Sequence, residues 1–453
     1  MSANSATGQL RKRSSLGAEQ KVYGSARKQQ WGSRLGFLMA AIGSAVGLGN
    51  LWRFPFQAGE NGAGAFVLIY IICVVLIGLP VLIAELAIGR SKGLSPVGST
   101  RALAVDAGRS PNWQISGWFG LAGAVIVLPS YAMISGQIMA YCVMGFMGDL
   151  GDPNVTPLYN GPVSSLLWFT AFLAITTAIV LRGLKQGIEA ASVVLMPAFF
   201  LILAGLAAFA LFTGAASEAL TYLFTPRFDQ LTPAIVLAAL GQALFSLGVG
   251  AGLMMTFGAF VSKDESIGAN ASIIAGADTV VALVAGLMIF PIVFANAMDP
   301  SAGMGLIFGT LPSFFASMPF GNLIGGSFFF LATIAALTSS IAILMISRTI
   351  GIEQFGLSES KATLLFALLA FCGGIAIVLI DGFGSLLDWL VGSVLAPIGA
   401  LTVALLAGWV APRSLMREEL SQTSDGFFAF WRGSVRYAVP LAIGVIFVAG
   451  LAG

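Results

Sequence analysis

The sequence predicts an all-α protein that crosses a membrane about eleven times. Of its 453 residues, 57% are apolar and only 9% are charged. A soluble domain carries roughly 25% charged residues, and its core could not absorb so many large aliphatic side chains. The apolar residues also form runs close to the ~20 residues that one helix needs to cross a bilayer. Composition and run length together therefore indicate a polytopic helical membrane protein.

Eleven apolar runs follow one another along the chain. In order they cover 35–59, 64–88, 115–147, 163–181, 188–212, 232–260, 269–296, 323–350, 362–380, 385–411 and 434–452. The third run is unusually long and contains Pro129, and the last begins close behind a charged loop. We expect each run to form one helix across the lipid bilayer.

The basic residues predict which side of the membrane each loop faces. A cytoplasmic N-terminus would place 20 of the 22 Lys and Arg residues on the inner side or at its border, with Arg53 and Arg227 as the exceptions. Inner loops of membrane proteins carry such an excess of basic residues. The expected protein is a multi-pass protein of the cell (inner) membrane, with residues 1–30 as a cytoplasmic tail and Gly453 outside.

The residue types that are missing exclude several kinds of chemistry. The chain has no histidine, so histidine metal ligands and Ser-His-Asp catalysis are excluded. Its three cysteines lie in apolar runs and form no CxxC pair, which argues against disulfides and cysteine metal sites. No paired-acid, HExxH or GxSxG motif supports an intramembrane enzyme. We expect neither catalysis nor a nucleic-acid partner.

Two apolar runs, about two hundred residues apart, are each interrupted by a glycine cluster near mid-span. The clusters lie within 43–49 and 248–252. Glycine costs about 1 kcal/mol against alanine inside a helix. Unwinding exposes peptide N–H and C=O groups in hydrocarbon, which is tolerated only where they line a cavity or bind a ligand. Paired interruptions in the two halves of a chain point to the binding site of a secondary transporter.

Several motifs support a closer comparison. The opening ones read Trp31-Gly-Ser-Arg34-Leu-Gly36, Ala45-Val-Gly-Leu-Gly-Asn50-Leu-Trp-Arg53-Phe-Pro55 and Glu60-Asn-Gly-Ala-Gly-Ala-Phe66. Later ones are Gly78-Leu-Pro80 with Glu85 and Gly89-Arg90, Gly241-Gln242-Ala-Leu-Phe245-Ser246, and Ala336-Leu-Thr338-Ser339-Ser340. These motifs closely resemble those of the neurotransmitter:sodium symporter family, and the likeness covers about residues 27–411.

The resemblance implies two inverted repeats of five helices, in which helices 1 and 6 are broken. The repeats would occupy 31–212 and 232–411, joined by an outer loop at 213–231. Residues 412–453 would then form a cytoplasmic loop and an eleventh helix. Many members of the family have a twelfth helix. We expect that helix, and any role it has in the family, to be absent here.

The resemblance also implies where an amino acid would bind. The amides around Leu48 and Gly49, with the phenol of Tyr131, would hold its carboxylate. Helix N-termini suit such a negative group. The carbonyls of Ala45, Phe245 and Ser246 would accept from the amine. The side-chain pocket would be formed by residues without charge, namely Val127, Tyr131, Phe245, Gly248, Ala251, Ser339 and Ile343.

Glycine 47 and the two small pocket residues bear on which substrate is carried. Relatives that carry monoamines have an aspartate at the position of Gly47, so glycine favours a substrate with its own carboxylate. An uncharged pocket disfavours acidic and basic amino acids. Gly248 and Ala251 leave a wide pocket for large neutral side chains, or they only allow close helix packing.

Two sodium sites are implied by position, and both use the hard oxygen ligands that sodium prefers. The first comprises the Ala45 carbonyl, Asn50, Ser246, Asp278 and the substrate carboxylate. The second comprises the carbonyls of Gly43, Val46 and Ala335 with the hydroxyls of Thr338 and Ser339. Chloride-dependent relatives have a serine where this chain has Ala282, so we expect no chloride requirement.

The same resemblance implies gates on both sides of the site. Outside, Arg53 would pair with Asp388, supported by Gln242. Inside, Lys28 and Trp31 would form a latch with Glu353.

Two further features outside the gates are implied, one in helix 2 and one in helix 5. Glu85 is interpreted as a buried acid that supports both unwound segments. Gly187 and Pro197 mark a half-turn that can unwind and admit water towards the second sodium site, because proline disfavours helical geometry before it.

The expected function is a sodium-coupled symporter that imports neutral, mainly hydrophobic amino acids by alternating access. A carrier of betaine, ω-amino acids or imino acids is the alternative of the same class, favoured by Gly248. A channel is less favoured, because a simple pore does not need asymmetric broken helices. The sequence leaves the oligomeric state open.

Overall fold

Helices build the whole architecture in the part of the chain that the structure describes. The computed structural model describes residues 30–152, 154–297, 308 and 311–452, and no strand occurs among them. This confirms the all-α fold class.

Eleven helical segments, labelled here α1 to α11, correspond in order to the eleven predicted runs. Their bounds are α1 Arg34–Ala45 with Gly49–Glu60, α2 Gly64–Lys92, α3 Pro111–Met147, α4 Pro162–Leu181, α5 Leu184–Phe212, α6 Pro233–Ser246 with Leu253–Gly258, α7 Ile267–Ala295, α8 Gly321–Phe355, α9 Glu359–Leu379, α10 Phe383–Val410 and α11 Asp425–Val448.

Nine of these described helices are individually long and apolar enough to cross a membrane, and α1 makes ten if its bent pair counts as one span. The remaining segment is α6, whose pieces have 14 and 6 residues. Neither piece alone reaches the ~20 residues of a full span. The predicted broken helices 1 and 6 are thus both interrupted in the structure.

The two breaks have different backbone causes. In α1, Val46 is extended and the two pieces are bent by 51°. In α6, Gly248, Gly250 and Gly252 have φ values of +60°, +93° and +71°. This left-handed region is open to glycine and costly for other residues. The glycine cluster is therefore what stops α6 at mid-span.

Helix α8 is the most buried of the long helices and forms the centre of the bundle. It packs against α1, α3, α4, α5 and α9. Helix α7 lies against α5, α2 and both parts of α1. The broken segments are consequently enclosed by continuous helices, where their free peptide groups are shielded from lipid.

One predicted boundary differs from the structure, and one predicted loop contains a helix. The eleventh helix begins at Asp425, not at 434, because the Ser424 side chain caps it by accepting from the Phe427 amide. The predicted outer loop 213–231 contains the helix Ala216–Phe224, whose Tyr222 ring packs on α7. The division into two repeats and a tail stays a prediction.

Candidate substrate and sodium site

Three polar side chains from α1, α6 and α7 meet beside the first break. Asn50 donates through Nδ2 to Asp278 Oδ1 at 2.7 Å and to Ser246 Oγ at 3.1 Å. Ser246 in turn donates to Asp278 Oδ2 at 2.7 Å, and Tyr70 approaches the same oxygen at 3.4 Å. All four side chains are buried. The cluster provides amide, hydroxyl and carboxylate oxygens, the hard ligands that suit sodium.

The backbone break in α1 is held in place by the same asparagine. The Gly47 amide donates to Asn50 Oδ1 at 3.0 Å. An unwound amide inside a membrane protein needs such a partner. One side chain therefore both closes the break and reaches the carboxylate of α7.

A second group of oxygens lies between α1 and α8. The Ser339 hydroxyl is 3.5 Å from each of the carbonyl oxygens of Gly43, Ser44 and Val46, and 3.1 Å from that of Ala335. Distances of 3.5 Å are at the limit for hydrogen bonds. A hydroxyl facing several carbonyls at that spacing offers ligands that a hard cation could draw together.

Threonine 338, the other predicted hydroxyl ligand, points along its own helix. Its Oγ1 donates to the carbonyls of Ile334 and Ala335 at 3.1 and 3.0 Å. This bonding is the usual one for threonine in membrane helices. Its methyl side faces α1, because a Cβ built on Gly43 would lie 3.0 Å from Thr338 Cβ. Gly43 is thus needed for α1 to approach α8.

The Tyr131 hydroxyl reaches the first break without a hydrogen-bond partner among the described residues. A Cβ added to Gly47 would lie 3.3 Å from it and 2.9 Å from Ser339 Oγ. No side chain fits at Gly47 unless its neighbours move. An unpaired buried hydroxyl costs about 1–3 kcal/mol, so the phenol calls for an acceptor at this place.

Two glycines, Gly248 in the turn of α6 and Gly123 on α3, border open space among the described residues. A Cβ on Gly248 or on the buried Gly123 would have no neighbour within 4 Å. Gly123 precedes Val127 and Tyr131 by four and eight residues, so the three share one face of α3. Sequence reasoning missed Gly123, although this spacing was the available signal. Because there is space for a side chain at Gly248, this glycine is not required for close helix packing.

The other predicted pocket residues fall on the same elements. Val127 and Ile343 are partly buried on α3 and α8, and Ala251 is partly buried in the turn of α6. The ring of Phe245 remains 52% exposed and would contact a Cβ on Gly49 at 2.8 Å. Leu48 is buried at the break. The predicted pocket residues thus lie on α1, α3, α6 and α8, and their roles in binding stay predictions.

Glu85 of α2 caps the short second piece of α6. It accepts from the amides of Gly250, Met254 and Met255 at 2.6, 3.1 and 3.3 Å, and is fully buried. A carboxylate at a helix N-terminus satisfies amides that lack partners. Its bonds go to the break in α6, whereas we expected it to support both breaks. Asn50 supports the other one.

The predicted outer pair is not formed among the described residues. The Arg53 guanidinium lies over the Phe245 ring, 4.0 Å from its centroid, and Asp388 is exposed on α10. A cation is attracted to the face of an aromatic ring. Gln242 donates through Nε2 to the Gly49 carbonyl at 3.3 Å, and its Oε1 accepts no bond from the arginine among the described residues. A pairing of Arg53 with Asp388 in another conformation stays a prediction.

The inner side of α1 is held by groups that sequence reasoning did not select. Glu189 accepts from the Gly32 amide at 2.7 Å and from Ser33 Oγ at 3.0 Å. Arg34 forms an ion pair with Glu265 at 3.0 Å. The available signal was that Ser33 and Arg34 belong to the first motif. These contacts close the inner end of α1 in this structure.

Two of the three residues of the predicted inner latch, Trp31 and Glu353, lie within the described residues. Trp31 donates through Nε1 to the Phe257 carbonyl at 3.2 Å, which joins α1 to α6. Lys28 lies outside the described residues. Glu353 accepts from the amide and hydroxyl of Ser95 at 2.7 and 2.9 Å, and Ser95 is the residue that caps the helix Pro96–Asp106. Whether Lys28 reaches Glu353 stays a prediction.

The inner half-turn of α5 is helical here. Residues Leu184–Glu189 form a π-helical turn, and Pro197 lies within the helix that follows. A Cβ on Gly187 would lie 2.0 Å from the Ile179 carbonyl, so only glycine allows this approach. π-turns are common where helices later rearrange. The predicted unwinding is not seen in this conformation.

Comparison with known proteins agrees with this geometry. The sequence model of the sodium:neurotransmitter symporter family matches residues 28–165 and 160–452. The chain belongs to this family. It is a membrane-spanning transporter of a sodium-dependent class, whose homologues are transporters and not enzymes.

Individual relatives cover nearly the whole chain. A sodium-dependent transporter of Bacillus subtilis is 35% identical over 92% of this chain and 97% of its own. The sodium-dependent nutrient amino acid transporter 1 of Drosophila grimshawi is 25% identical over 93% and 76%. The crystal structure of MhsT in complex with L-phenylalanine matches with a TM-score of 0.85, 36% identity, and coverage of 93% and 100%. Amino-acid transport is thus represented among the relatives of this symporter.

Proposed function

We propose that this symporter couples sodium entry to the import of neutral, mainly hydrophobic amino acids by alternating access. The observation that carries the proposal is the unpartnered Tyr131 hydroxyl beside the break at Gly47. A substrate carboxylate would accept from this phenol and from the free amides at the start of the second piece of α1. That piece also presents its positive helix end to the anion.

The proposed sodium ions lie next to this carboxylate position. The first would use Asp278, Ser246, Asn50 and the Ala45 carbonyl, and the substrate carboxylate would complete its shell. The second would use Ser339 with Thr338 and the carbonyls of Gly43, Val46 and Ala335. A ligand shared between substrate and ion makes each raise the affinity of the other. Asp278 would supply the negative charge, so no chloride would be required.

The proposed side-chain pocket is uncharged and wide. Among its predicted lining residues none is ionisable, and the open space at Gly248 and Gly123 accommodates a large apolar group. A charged side chain placed there would lose its hydration without gaining a partner. The bound L-phenylalanine of MhsT supports a large neutral substrate for this chain as well.

The described contacts suggest which conformation the structure represents. The inner end of α1 is tied to Glu189 and Glu265, while Arg53 and Asp388 remain apart and Phe245 is exposed on the other side. We infer an outward-facing arrangement, with a cytoplasmic N-terminus in the cell (inner) membrane and an outer C-terminus. Import would follow closure over the substrate and release of the inner contacts.

Uptake into proteoliposomes tests the proposal. Purified protein would be given radiolabelled phenylalanine under an inward sodium gradient, with potassium as the ionic control and gluconate replacing chloride. We expect saturable, sodium-dependent uptake that does not need chloride. Competition by leucine, alanine, glutamate, lysine, betaine, γ-aminobutyrate and proline would then define the substrate class. Unsaturable flux would indicate a channel instead.

The competition panel also tests the second candidate. The open space at Gly248 would equally admit an N-methylated or imino compound, because no hydroxyl at this position contacts the amine. Strong competition by betaine, γ-aminobutyrate or proline, with weak competition by leucine and phenylalanine, would favour that carrier over a transporter of hydrophobic α-amino acids.

A further inference from the structure

Three arginines at one end of α10 and α11 have no acidic partner among the described residues. Arg413 follows α10, whereas Arg432 and Arg436 lie one turn apart on α11 and therefore on the same face. Within the described part of the chain none of the three forms an ion pair, and the charged neighbours that act on Arg432 are Arg436 and Arg413. Like charges so placed repel one another, so the cluster calls for an anion.

Two nearby carboxylates are already engaged. Glu419 accepts from Arg90 at 2.7 Å and pairs with Lys263, while Asp425 pairs with Arg417 at 2.7 Å. Among the described residues, Arg432 contacts only the Ala411 carbonyl, at 3.4 Å. One carbonyl at the end of α10 does not neutralise three charges.

Two donor atoms of the cluster are buried without an acceptor. They are Nη1 of Arg432 and Nε of Arg436. Their position is fixed by packing, since the Arg436 side chain lies against Gly408, where a Cβ would be 2.9 Å from Arg436 Cγ. The Arg413 guanidinium is exposed and lies 5.9 Å from the centroid of the Phe428 ring. The group therefore presents a fixed pair of donors and one exposed charge.

Aromatic rings place this cluster at the edge of the lipid phase. The Arg436 guanidinium lies 4.3 Å from the centroid of Trp409 and 5.6 Å from that of Tyr437, and Trp409 donates to the Arg436 carbonyl at 3.0 Å. Both rings are exposed, by 51% and 61%. Exposed Trp and Tyr side chains are enriched at headgroup level in membrane proteins.

An apolar stripe continues from the rings along α11. Leu441, Val445 and Val448 follow Tyr437 at helical spacing, and all three are exposed. Such a face suits a fatty acyl chain running towards the centre of the bilayer. The donors, the rings and the stripe are thus arranged in the order of phosphate, glycerol and acyl chain.

We propose that Arg413, Arg432 and Arg436 bind the phosphate of an anionic phospholipid whose acyl chain lies along the α11 stripe. Guanidinium groups bind phosphate oxygens through paired N–H donors. An anionic headgroup carries a net negative charge, whereas in a zwitterionic lipid the phosphate charge is cancelled by the positive group of the same headgroup. Basic pockets on the cytoplasmic side of membrane helices are suited to such headgroups.

Lipid titration of the purified full-length protein tests this site. Delipidated protein would be titrated with phosphatidylglycerol and with phosphatidylcholine of identical acyl chains, and bound lipid counted by native mass spectrometry. Inorganic phosphate serves as the probe for a free anion. We expect phosphatidylglycerol to bind at least tenfold more tightly than phosphatidylcholine, with no comparable effect of phosphate.

Charge-matched variants separate the cluster from a general effect of positive charge. The double variant Arg432→Gln with Arg436→Gln would lose about fivefold in phosphatidylglycerol affinity for each arginine removed. The control, Arg109→Gln with Arg182→Gln, removes the same charge from exposed positions and should keep the wild-type affinity. If the double variant is not monodisperse, Arg436→Lys gives the second measurement, with a smaller loss.

Three results would overturn the proposal. They are equal affinity for the two lipids, equal losses in the double variant and its control, and full competition by inorganic phosphate. The last result would assign the cluster to a soluble phosphate compound rather than to a lipid.

Discussion

Asn50 and Asp278, which are 228 residues apart, are joined by a 2.7 Å hydrogen bond inside the bundle. The bond links the first broken helix to a continuous one at the level of the break. Asn50 also accepts from the Gly47 amide, so Asp278 and the unwound backbone share this asparagine as a bonding partner. The relation ties the proposed ion site to the proposed carboxylate site.

Replacing Asp278 with asparagine should weaken the coupling between sodium and substrate. The variant keeps the shape but removes the negative charge that balances the proposed ion. The factor by which sodium raises substrate affinity should then be at least tenfold smaller than in the wild type. Chloride should partly restore this factor. Scintillation proximity binding in sodium chloride, sodium gluconate and potassium chloride measures this. Tyr70→Phe, which loses only the 3.4 Å contact with Asp278, is the control and should change little. Unchanged coupling in Asp278→Asn would refute the shared-ligand site.

Removing the hydroxyls of Thr338 and Ser339 should lower sodium affinity by an order of magnitude or more. The double alanine variant deletes both proposed ligands and keeps the helix, because alanine is the best helix former. The sodium dependence of uptake measures the effect. Ser340→Ala is the matched control, since that hydroxyl bonds the Leu337 carbonyl and Thr176 at 2.9 Å each, away from α1. Equal sodium dependence in the double variant and the control would exclude this second site.

Enlarging Gly123 should change which substrates are accepted without destabilising the protein. In Gly123→Leu the new side chain enters the open space of the pocket, and helix propensity adds about 1 kcal/mol of stability. Large substrates should lose affinity, whereas alanine or glycine should be spared. Gly205→Leu, at an exposed and equally open position of α5, should gain stability without any change in selectivity. Loss of all substrates together with poor folding would show that Gly123 serves packing.

Removing the Glu189 carboxylate should release the inner end of α1. Glu189→Ala deletes the acceptor for Gly32 and Ser33. A hydrogen bond to a charged group contributes about 1.5–3 kcal/mol. Hydrogen exchange of residues 32–40, followed by mass spectrometry, should rise at least tenfold, and substrate affinity should fall as inward-facing states gain population. Glu353→Ala, which instead frees Ser95, should raise exchange near 95–100 only. Unaltered exchange at 32–40 would show that Trp31 and Arg34 suffice to hold α1.

The sequence alone was sufficient to predict the fold class, the eleven segments and the two breaks. These are local properties, since apolar run length is set by the bilayer and a glycine cluster weakens a helix wherever it lies. The motifs around Asn50, Ser246 and Thr338 predicted which residues would face the breaks. Their partners were chosen by resemblance and not by any property of the residues themselves.

Only the tertiary structure decided which groups meet. Glu189 and Glu265 hold α1, Glu85 caps the second piece of α6, and Arg53 lies on Phe245 rather than beside Asp388. A charged side chain reaches whichever partner the packed helices bring within about 3–4 Å, and sequence spacing carries no record of that distance. The open space at Gly248 and Gly123 could not be predicted for the same reason. A glycine can allow two helices to pack closely or can border a cavity, and only the positions of the surrounding helices determine which of the two occurs.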